Sequence, residues 1–305
     1  MPITLFTPDA CARYSLPAGH PDQPDRLREI GDGLVASGLD MLLQYADAAP
    51  AGRNLLEAVH TPAYLQQLAA TEPETGWAPL DRDTPLAPGS LAAAREAAGA
   101  AAASVDHVLD RKGPGQAFVL GRPPGHHAGP DHGGGFCLLN HAALAARQAA
   151  AHGLARIAIA DIDVHHGDGT VECLGGDPRF RVASLYQAEG FGTPSDQAGA
   201  GWQATPLPPG TAGAEWRAAA QATFLPFLAD FDPELIIVSA GFDGHGADDM
   251  GDWRLTEADF AWMAAQLDRL APRSIWILEG GYAARALRRS ILGVLKALID
   301  PEAGI

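Results

Sequence analysis

Cysteine is scarce in this chain. Cys11, Cys137 and Cys173 are the only thiols in 305 residues, too few and too odd in number for a disulfide framework. No apolar run reaches the roughly 18 residues of a membrane span, and the N-terminal MPITLFTPDA lacks the basic start and long apolar centre of a secretory signal. The expected compartment is a reducing cytoplasm, with no membrane partner. Positive charge is also short: 21 Lys and Arg stand against 37 Asp and Glu, a net charge of −16. That balance disfavours a nucleic-acid partner and favours cationic substrates, although most of it is accounted for by an ordinary solvated surface. Internal repeats and linkers are lacking too. With 47% hydrophobic residues and a regular alternation of apolar runs and helical stretches, residues 1–305 are read as one large α/β domain.

Histidine, by contrast, is concentrated. Seven of the eleven lie in residues 121–170, within GRPPGHHAGPDHGGGFCLLNH and RIAIADIDVHHGDGT. The apolar, β-branched pattern predicts strands at residues 3–6, 116–120, 156–160, 180–186, 234–240 and 274–278. Helices are predicted at 25–37, closed by Gly38, from Thr61-Pro62 onward, at 90–109 with Ser90 as N-cap, and at 138–151, 216–228 and 284–299. The alanine density of 90–109 reflects helix propensity and close packing.

Strand alternation at the end of 156–160 is expected to put Asp161, Asp163 and His165 on one face. A carboxylate beside an imidazole suits a borderline divalent ion, zinc first among them, with one more ligand required. Asp243 follows the strand at 234–240, and Tyr282 follows the one at 274–278. Each has a blander reading: histidine pairs occur in loops by chance, Asp243 is a plausible loop aspartate, and Tyr282 a half-buried aromatic. Their shared location at strand carboxyl ends, where open α/β sheets bind ligands, favours a site. So does the cost of burying unpaired ionisable groups.

Taken in order, RPPGHHA, GFC followed by Asn140, DIDVHHGDGT, LPPGT, SAGFD and EGGY resemble the histone deacetylase and acetylpolyamine amidohydrolase family of arginase-like fold. The resemblance runs from HPDQPDR near residue 20 to the last helix, and DIDVHHGDGT is its most specific part. It implies a three-layer αβα architecture with a mostly parallel sheet of about eight strands, and a zinc-dependent hydrolase that removes acyl groups from amines. Asp163, His165 and Asp243 would be the zinc ligands, leaving a position for water. His127 would be general base and then general acid, and His126 would hold the water and stabilise charge. Asp161 and Asp168 would orient the two rings, and Tyr282 would donate to the developing oxyanion. A potassium ion is also implied, at Asp161, the main-chain oxygens of Asp163 and His165, and Ser184 with Leu185.

For substrate contacts, the resemblance assigns Gly135 and Phe136 to one wall of a narrow tube and Asp83 to the rim. Met250 stands where relatives favouring acetylated polyamines can carry glutamate. Tyr186 replaces a usual histidine, and the tunnel wall at 186–197 departs from the family pattern; His141 stands where a second asparagine is frequent. The expected partner is an acyl-lysine peptide or protein, or a small acylated amine. A manganese ureohydrolase and a catalytically inactive zinc-binding protein are the rival functions. The proline-turn histidine pair with Gly-Gly-Tyr argues against the first, and retention of His126, His127 and Tyr282 against the second.

Overall fold

The computed structural model describes residues 3–110, 113, 115–190, 192 and 198–300. A nine-stranded sheet forms its centre: β1 (Thr4–Phe6), β2 (Gln44–Ala46), β3 (Gly115–Val119), β4 (Ile157–Asp161), β5 (Phe180–Gln187), β6 (Ala198–Gly199), β7 (Trp202–Leu207), β8 (Leu235–Ala240) and β9 (Arg273–Leu278). Across the sheet the order is β2-β1-β3-β9-β8-β4-β5-β7-β6. All neighbours pair in parallel except the two-residue β6, which runs antiparallel to β7 at the edge.

Because strand side chains alternate between faces, each central strand feeds two cores. Ile157, Ile159, Leu235, Ile237, Ile275 and Ile277 pack with alanines of two helices. The intervening Ala158, Ala160, Ile236, Val238, Trp276 and Leu278 join the opposite core. The first core is covered by residues of Ser90–Asp110 and His141–Ala151, and the second by residues of Asp25–Ser37, Glu257–Leu267 and Ala284–Ile299. Strands buried on both sides read as continuous apolar runs, which is why they were legible. Each buried Leu or Ile contributes roughly 1.5–3 kcal/mol, so the central strands are a stiff base for what leaves their ends. On Ala284–Ile299, Leu287, Ile291, Val294, Leu295 and Leu298 form the buried stripe, while Arg285, Arg289 and Lys296 face solvent. Small residues let neighbours approach the long alanine-rich helix: a Cβ on Gly99 would lie 2.0 Å from the Ala49 carbonyl oxygen.

Several local expectations shift. Ser90 is the first residue of its helix rather than its cap, and its hydroxyl accepts the Ala87 N–H at 2.9 Å. The helix expected from 138 begins at His141, because Asn140 caps it and accepts the Ala143 N–H at 2.9 Å. The helix expected at 216–228 begins earlier, as Gly213–Ala219, and continues through a widened π turn, Ala220–Phe224, into Leu225–Ala229. Pro226, which has no N–H to donate, follows that turn. Strand β7 and the helix Glu257–Leu267 were not anticipated. Among the described residues, no helix is long and apolar enough to cross a membrane.

The proline-rich loop at residues 20–26 holds a buried ionic junction. Asp22 Oδ1 accepts from Arg26 Nη1 and Arg122 Nε, both at 2.8 Å, and its Oδ2 accepts from the Tyr14 hydroxyl at 2.9 Å. Arg122 also donates to the carbonyls of Cys11 and Asp22, each at 2.7 Å. Burial alone would raise the Asp22 carboxyl, but Arg122 and Arg26 hold it down at about 2. Such a depressed acid stabilises the fold above the ordinary carboxylate range, and that contribution is lost as pH falls toward 2. Asp22→Ala strands two buried guanidinium groups. It should destabilise the protein by about 3–5 kcal/mol in urea unfolding at neutral pH.

Candidate active site

Four adjacent strands, β3, β9, β8 and β4, each release a motif from the carboxyl end. Residues 123–127 follow β3, residues 279–282 follow β9, residues 241–243 follow β8, and residues 162–165 follow β4. They converge on a cavity of about 70 Å³ lined by Asp83, His126, His127, Gly135, Phe136, Asp163, His165, Asp243, Met250 and Tyr282. Every one of these residues was singled out in the sequence. Asp161 and Asp168 are not among the lining residues and hold the histidine rings, while Ser184 and Leu185 belong to the strand beside β4.

One ligand atom from each of Asp163, His165 and Asp243 lies within 4.8 Å of the others. His165 Nδ1 is 3.0 Å from Asp163 Oδ1 and 3.4 Å from Asp243 Oδ2. Strand alternation is not what joins them, since β4 ends at Asp161 and the next residues bend. Local hydrogen bonds do it: the Asp163 N–H donates to Asp161 Oδ1 at 3.1 Å, and the His165 N–H to Asp163 Oδ1 at 2.9 Å. Asp163 Oδ2 accepts the Gly280 N–H at 2.9 Å, and Asp243 Oδ1 the Val164 N–H at 3.0 Å.

Asp243 Oδ2, buried, has no hydrogen-bond partner. Burial and the nearby Asp163 push the Asp243 carboxyl up to about 6. An orphaned buried carboxylate oxygen facing a second carboxylate is costly unless a cation joins them. Two carboxylates with one imidazole fit zinc in donor type and number, and they leave a fourth position open.

The two histidines are pushed in opposite directions. His126 Nδ1 lies 3.0 Å from Asp161 Oδ2, and His127 Nδ1 lies 2.7 Å from Asp168 Oδ1, with the ring centroids 4.0 Å apart. Burial would lower His126, but the Asp163 and Asp161 carboxylates prevail and raise it well above its usual value. His127 is lowered to about 4, by burial first and then by the charge on His126. The carboxylates thus favour a proton on His126, while burial favours the neutral, proton-accepting form of His127.

Tyr282 closes the opposite side. Its ring meets Phe136 edge-on at 5.6 Å, and the Arg26 guanidinium lies 4.7 Å from its centroid. Burial raises its phenol well above the usual value, so the hydroxyl stays protonated as a donor. Phe136 has a left-handed backbone, φ 69°, unusual for a residue with a side chain. Its N–H donates to Thr84 Oγ1 at 3.0 Å, and the preceding Gly135 N–H to Asp83 Oδ1 at 3.2 Å. Asp83, expected at the rim as a hydrogen-bond partner of the substrate backbone, thus also braces the wall through the Gly135 amide. Tyr186 is buried with its ring 5.2 Å from His166. Beyond it, residues 191 and 193–197 of the other expected wall lie outside the described residues. His141 is buried and bonds the Pro123 carbonyl at 3.0 Å, bracing the histidine turn.

Glu279 was missed, although it stands in the quoted EGGY at the end of a buried strand. Its Oε2 accepts the N–H groups of Gly125 at 2.6 Å and His126 at 3.2 Å. Burial pushes its carboxyl up to about 7. Ligand atoms of Glu279, His126 and Cys137 also cluster within 4.8 Å. The Cys137 thiol is raised well above its usual value by burial, and one oxygen of Glu279 is already taken by backbone amides, so this cluster reads as support for the histidine turn.

A parallel αβα sheet with such a cluster at adjacent strand ends defines a hydrolase of the deacetylase and amidohydrolase class. Residues 20–298 match the histone deacetylase domain, and the chain belongs to that family. It is 35% identical to a histone deacetylase-like amidohydrolase of Pseudomonas aeruginosa, over 93% of this chain and 80% of that one. It is 34% identical to acetylpolyamine amidohydrolase 1 of the same organism, over 73% of this chain and 66% of the relative. The crystal structure of the HDA15 HD domain superposes with a TM-score of 0.89 at 30% identity, covering 100% of this chain and 90% of that one.

Gly280 supplies a direct test of the cluster. A Cβ there would fall 2.0 Å from Asp243 Oδ2 and 2.6 Å from Asp163 Oδ2. Gly280→Ala should weaken zinc binding by about 10–100-fold, as disturbance around metal ligands typically does, while the circular-dichroism spectrum remains native. Unchanged affinity in a metal-competition titration would refute the assignment.

Proposed function

We propose that this protein is a zinc-dependent deacetylase that hydrolyses an N-acyl amide of lysine or a lysine-like amine. The observation that carries the reading is the orphaned Asp243 oxygen beside Asp163 and His165, in the same small cavity as His126, His127 and Tyr282. Zinc bound by Asp163, His165 and Asp243 would supply Lewis acidity for the amide carbonyl and acidify a water molecule.

The chain's own groups do the remainder. Neutral His127 accepts the proton of the attacking water and returns it to the leaving amine as the C–N bond breaks; Asp168 holds its Nδ1 side. His126, backed by Asp161, helps to hold the attacking water and offsets developing negative charge, and the Tyr282 hydroxyl donates to the acyl carbon's oxygen. The products are a carboxylic acid and a free amine.

Potassium belongs to the same proposal. Asp161 and Ser184 are direct partners in the β4–β5 register, and the buried Ser184 hydroxyl oxygen has no protein partner. An ion held there with Leu185 and the main-chain oxygens of Asp163 and His165 would firm the loop that carries the zinc ligands.

Chelation should abolish hydrolysis of an acetyl-lysine peptide and stoichiometric zinc should restore it; active protein shown by elemental analysis to carry no metal would sink the proposal. Tyr282→Phe should lose about 10²–10³-fold in turnover with zinc still bound. Substrate choice rests on Met250, which lines the cavity and offers no charge to a distant ammonium. Acyl-lysine peptides should be hydrolysed with higher kcat/KM than acetylated spermidine or putrescine. Met250→Glu should move the ratio toward polyamines, by an order of magnitude for a charge-assisted contact of about 1–2 kcal/mol. The reverse ranking in the unmodified enzyme would make the small acylated amine the substrate class.

A further inference from the structure

We propose that Asp248 is a positioning residue that sets the Tyr282 hydroxyl in place, an inference that rests on the reading of Tyr282 as a donor to the substrate oxygen. The segment 279–283 has no regular structure and contains two consecutive glycines. Both are demanded by space. A Cβ on Gly280 would strike Asp243 Oδ2, and one on Gly281, whose φ is 114°, would come within 3.0 Å of Leu287 Cδ1 and Phe242 Cβ. Close approach to the metal-ligand cluster thus leaves Tyr282 directly after two consecutive glycines, a permissive backbone, and its placement must be imposed from outside.

The external ties divide by residue. Arg26 donates to the carbonyls of Glu279 and Gly281. Gly280 is held by Asp163 through its N–H and by the Phe242 N–H through its carbonyl, the latter at 3.1 Å. Of the Gly281–Tyr282 peptide plane, Arg26 thus holds the carbonyl side, and what remains to be tied is the amide of Tyr282. That amide donates to Asp248 Oδ2 at 2.6 Å, and the next one, on Ala283, to the same oxygen at 2.7 Å. Asp248 is 7% exposed and is itself fixed, since its Oδ1 accepts the Met250 N–H at 3.2 Å and its N–H donates to the His245 carbonyl at 2.8 Å. One carboxylate therefore binds the loop of Asp243 and Met250 to the loop of Tyr282. Carboxylate-to-amide bonds are charge-assisted and directional, suited to fixing a peptide plane. With that plane fixed, the ring is held between Arg26 and Phe136.

Asp248 also lies at the start of the helix Ala284–Ile299, so a test must separate positioning from general support. Zinc-loaded wild type, Asp248→Ala, Asp248→Asn, Tyr282→Phe and the Asp248→Ala/Tyr282→Phe double variant are compared on an acetyl-lysine peptide, with zinc stoichiometry and Tm measured for each. Asp248→Ala should lower kcat by about 10–100-fold with KM changed by less than about 3-fold, below the ceiling set by loss of the hydroxyl. Asp248→Asn, which keeps an acceptor for the Tyr282 and Ala283 amides, should lose less, and it carries the comparison if the alanine variant does not fold. In the Tyr282→Phe background the same substitution should cost no more than about 3-fold, because the group it positions is gone. Equal losses in both backgrounds, or unchanged kcat in Asp248→Ala, overturn this inference alone. Near-normal turnover of Tyr282→Phe overturns the reading of Tyr282 and this inference with it.

Discussion

The constraint on which the rest of the structure depends is negative charge buried at the ends of four neighbouring strands. Asp161, Asp163, Asp243 and Glu279 are each at most 1% exposed. Isolated ionised carboxylates cannot be placed there without compensation. Asp163 is compensated by the Gly280 and His165 amides and by His126, and Asp161 by His126 and the Asp163 amide. Glu279 takes two amides of the histidine turn and is raised toward its neutral form. Asp243 and Glu279 each keep one buried oxygen without a hydrogen-bond partner, and it is the Asp243 oxygen that stands beside a second carboxylate and an imidazole, where a cation would offset the charge. The glycines at 241 and 280 follow from the same crowding, since a Cβ at either position would collide with Asp163 or Asp243.

A second charge network makes that arrangement rigid. Arg26 spans both: it is tied to Asp22, and through it to Arg122, while its other donors reach the backbone that carries Tyr282. The N-terminal loop is far from the cluster in sequence, yet it sets the backbone opposite the proposed zinc ligands. Buried ion pairs of this kind contribute little net stability compared with apolar packing but impose one geometry when complete. Here geometry is what the site requires.

The legible part of this molecule was the part governed by local pattern. Apolar runs such as Leu235–Ala240 announced doubly covered strands; the motifs at their ends named the histidine, aspartate and tyrosine residues that line the cavity, and the family resemblance added Asp83, Gly135, Phe136 and Met250. What escaped has identifiable causes. Strand β7, WQATPL, is only partly buried and lacks an apolar run. The helix Glu257–Leu267 carried a usable signal, Thr256 with Asp259 three residues on, whose carboxylate accepts the Thr256 N–H at 2.8 Å, but its interior is apolar on most sides and shows no stripe. The roles of Asp22, Asp248 and Glu279 depend on partners as much as 154 positions away, such as the Gly125 amide bonded by Glu279, and no local pattern encodes them. Asp163 and His165 lie together for a reason other than the one expected: local hydrogen bonds after the strand, not strand alternation, bring them together.

Cavity size does not by itself locate chemistry in this fold. A groove of about 980 Å³ lies between helices, lined by residues including Leu56, Leu65, Leu68 and Leu91, yet its charged groups are already engaged. Arg53 pairs with Glu57, Arg95 donates to the Ala51 carbonyl, and Glu72 accepts the Leu91 N–H. The 70 Å³ cavity combines an orphaned acceptor, two imidazoles pushed in opposite directions, and a phenol raised well above its usual value. With a net charge of −16, the molecule's long-range field draws in any cationic amine and distinguishes poorly among them. Discrimination has to come from contact over the last few ångströms, where Phe136 and Met250 offer apolar surface to an alkyl chain and no partner to a second ammonium. On the proposed reading, those two side chains beside the polar cluster would suit a substrate that carries one acylated amine on an unbranched stem.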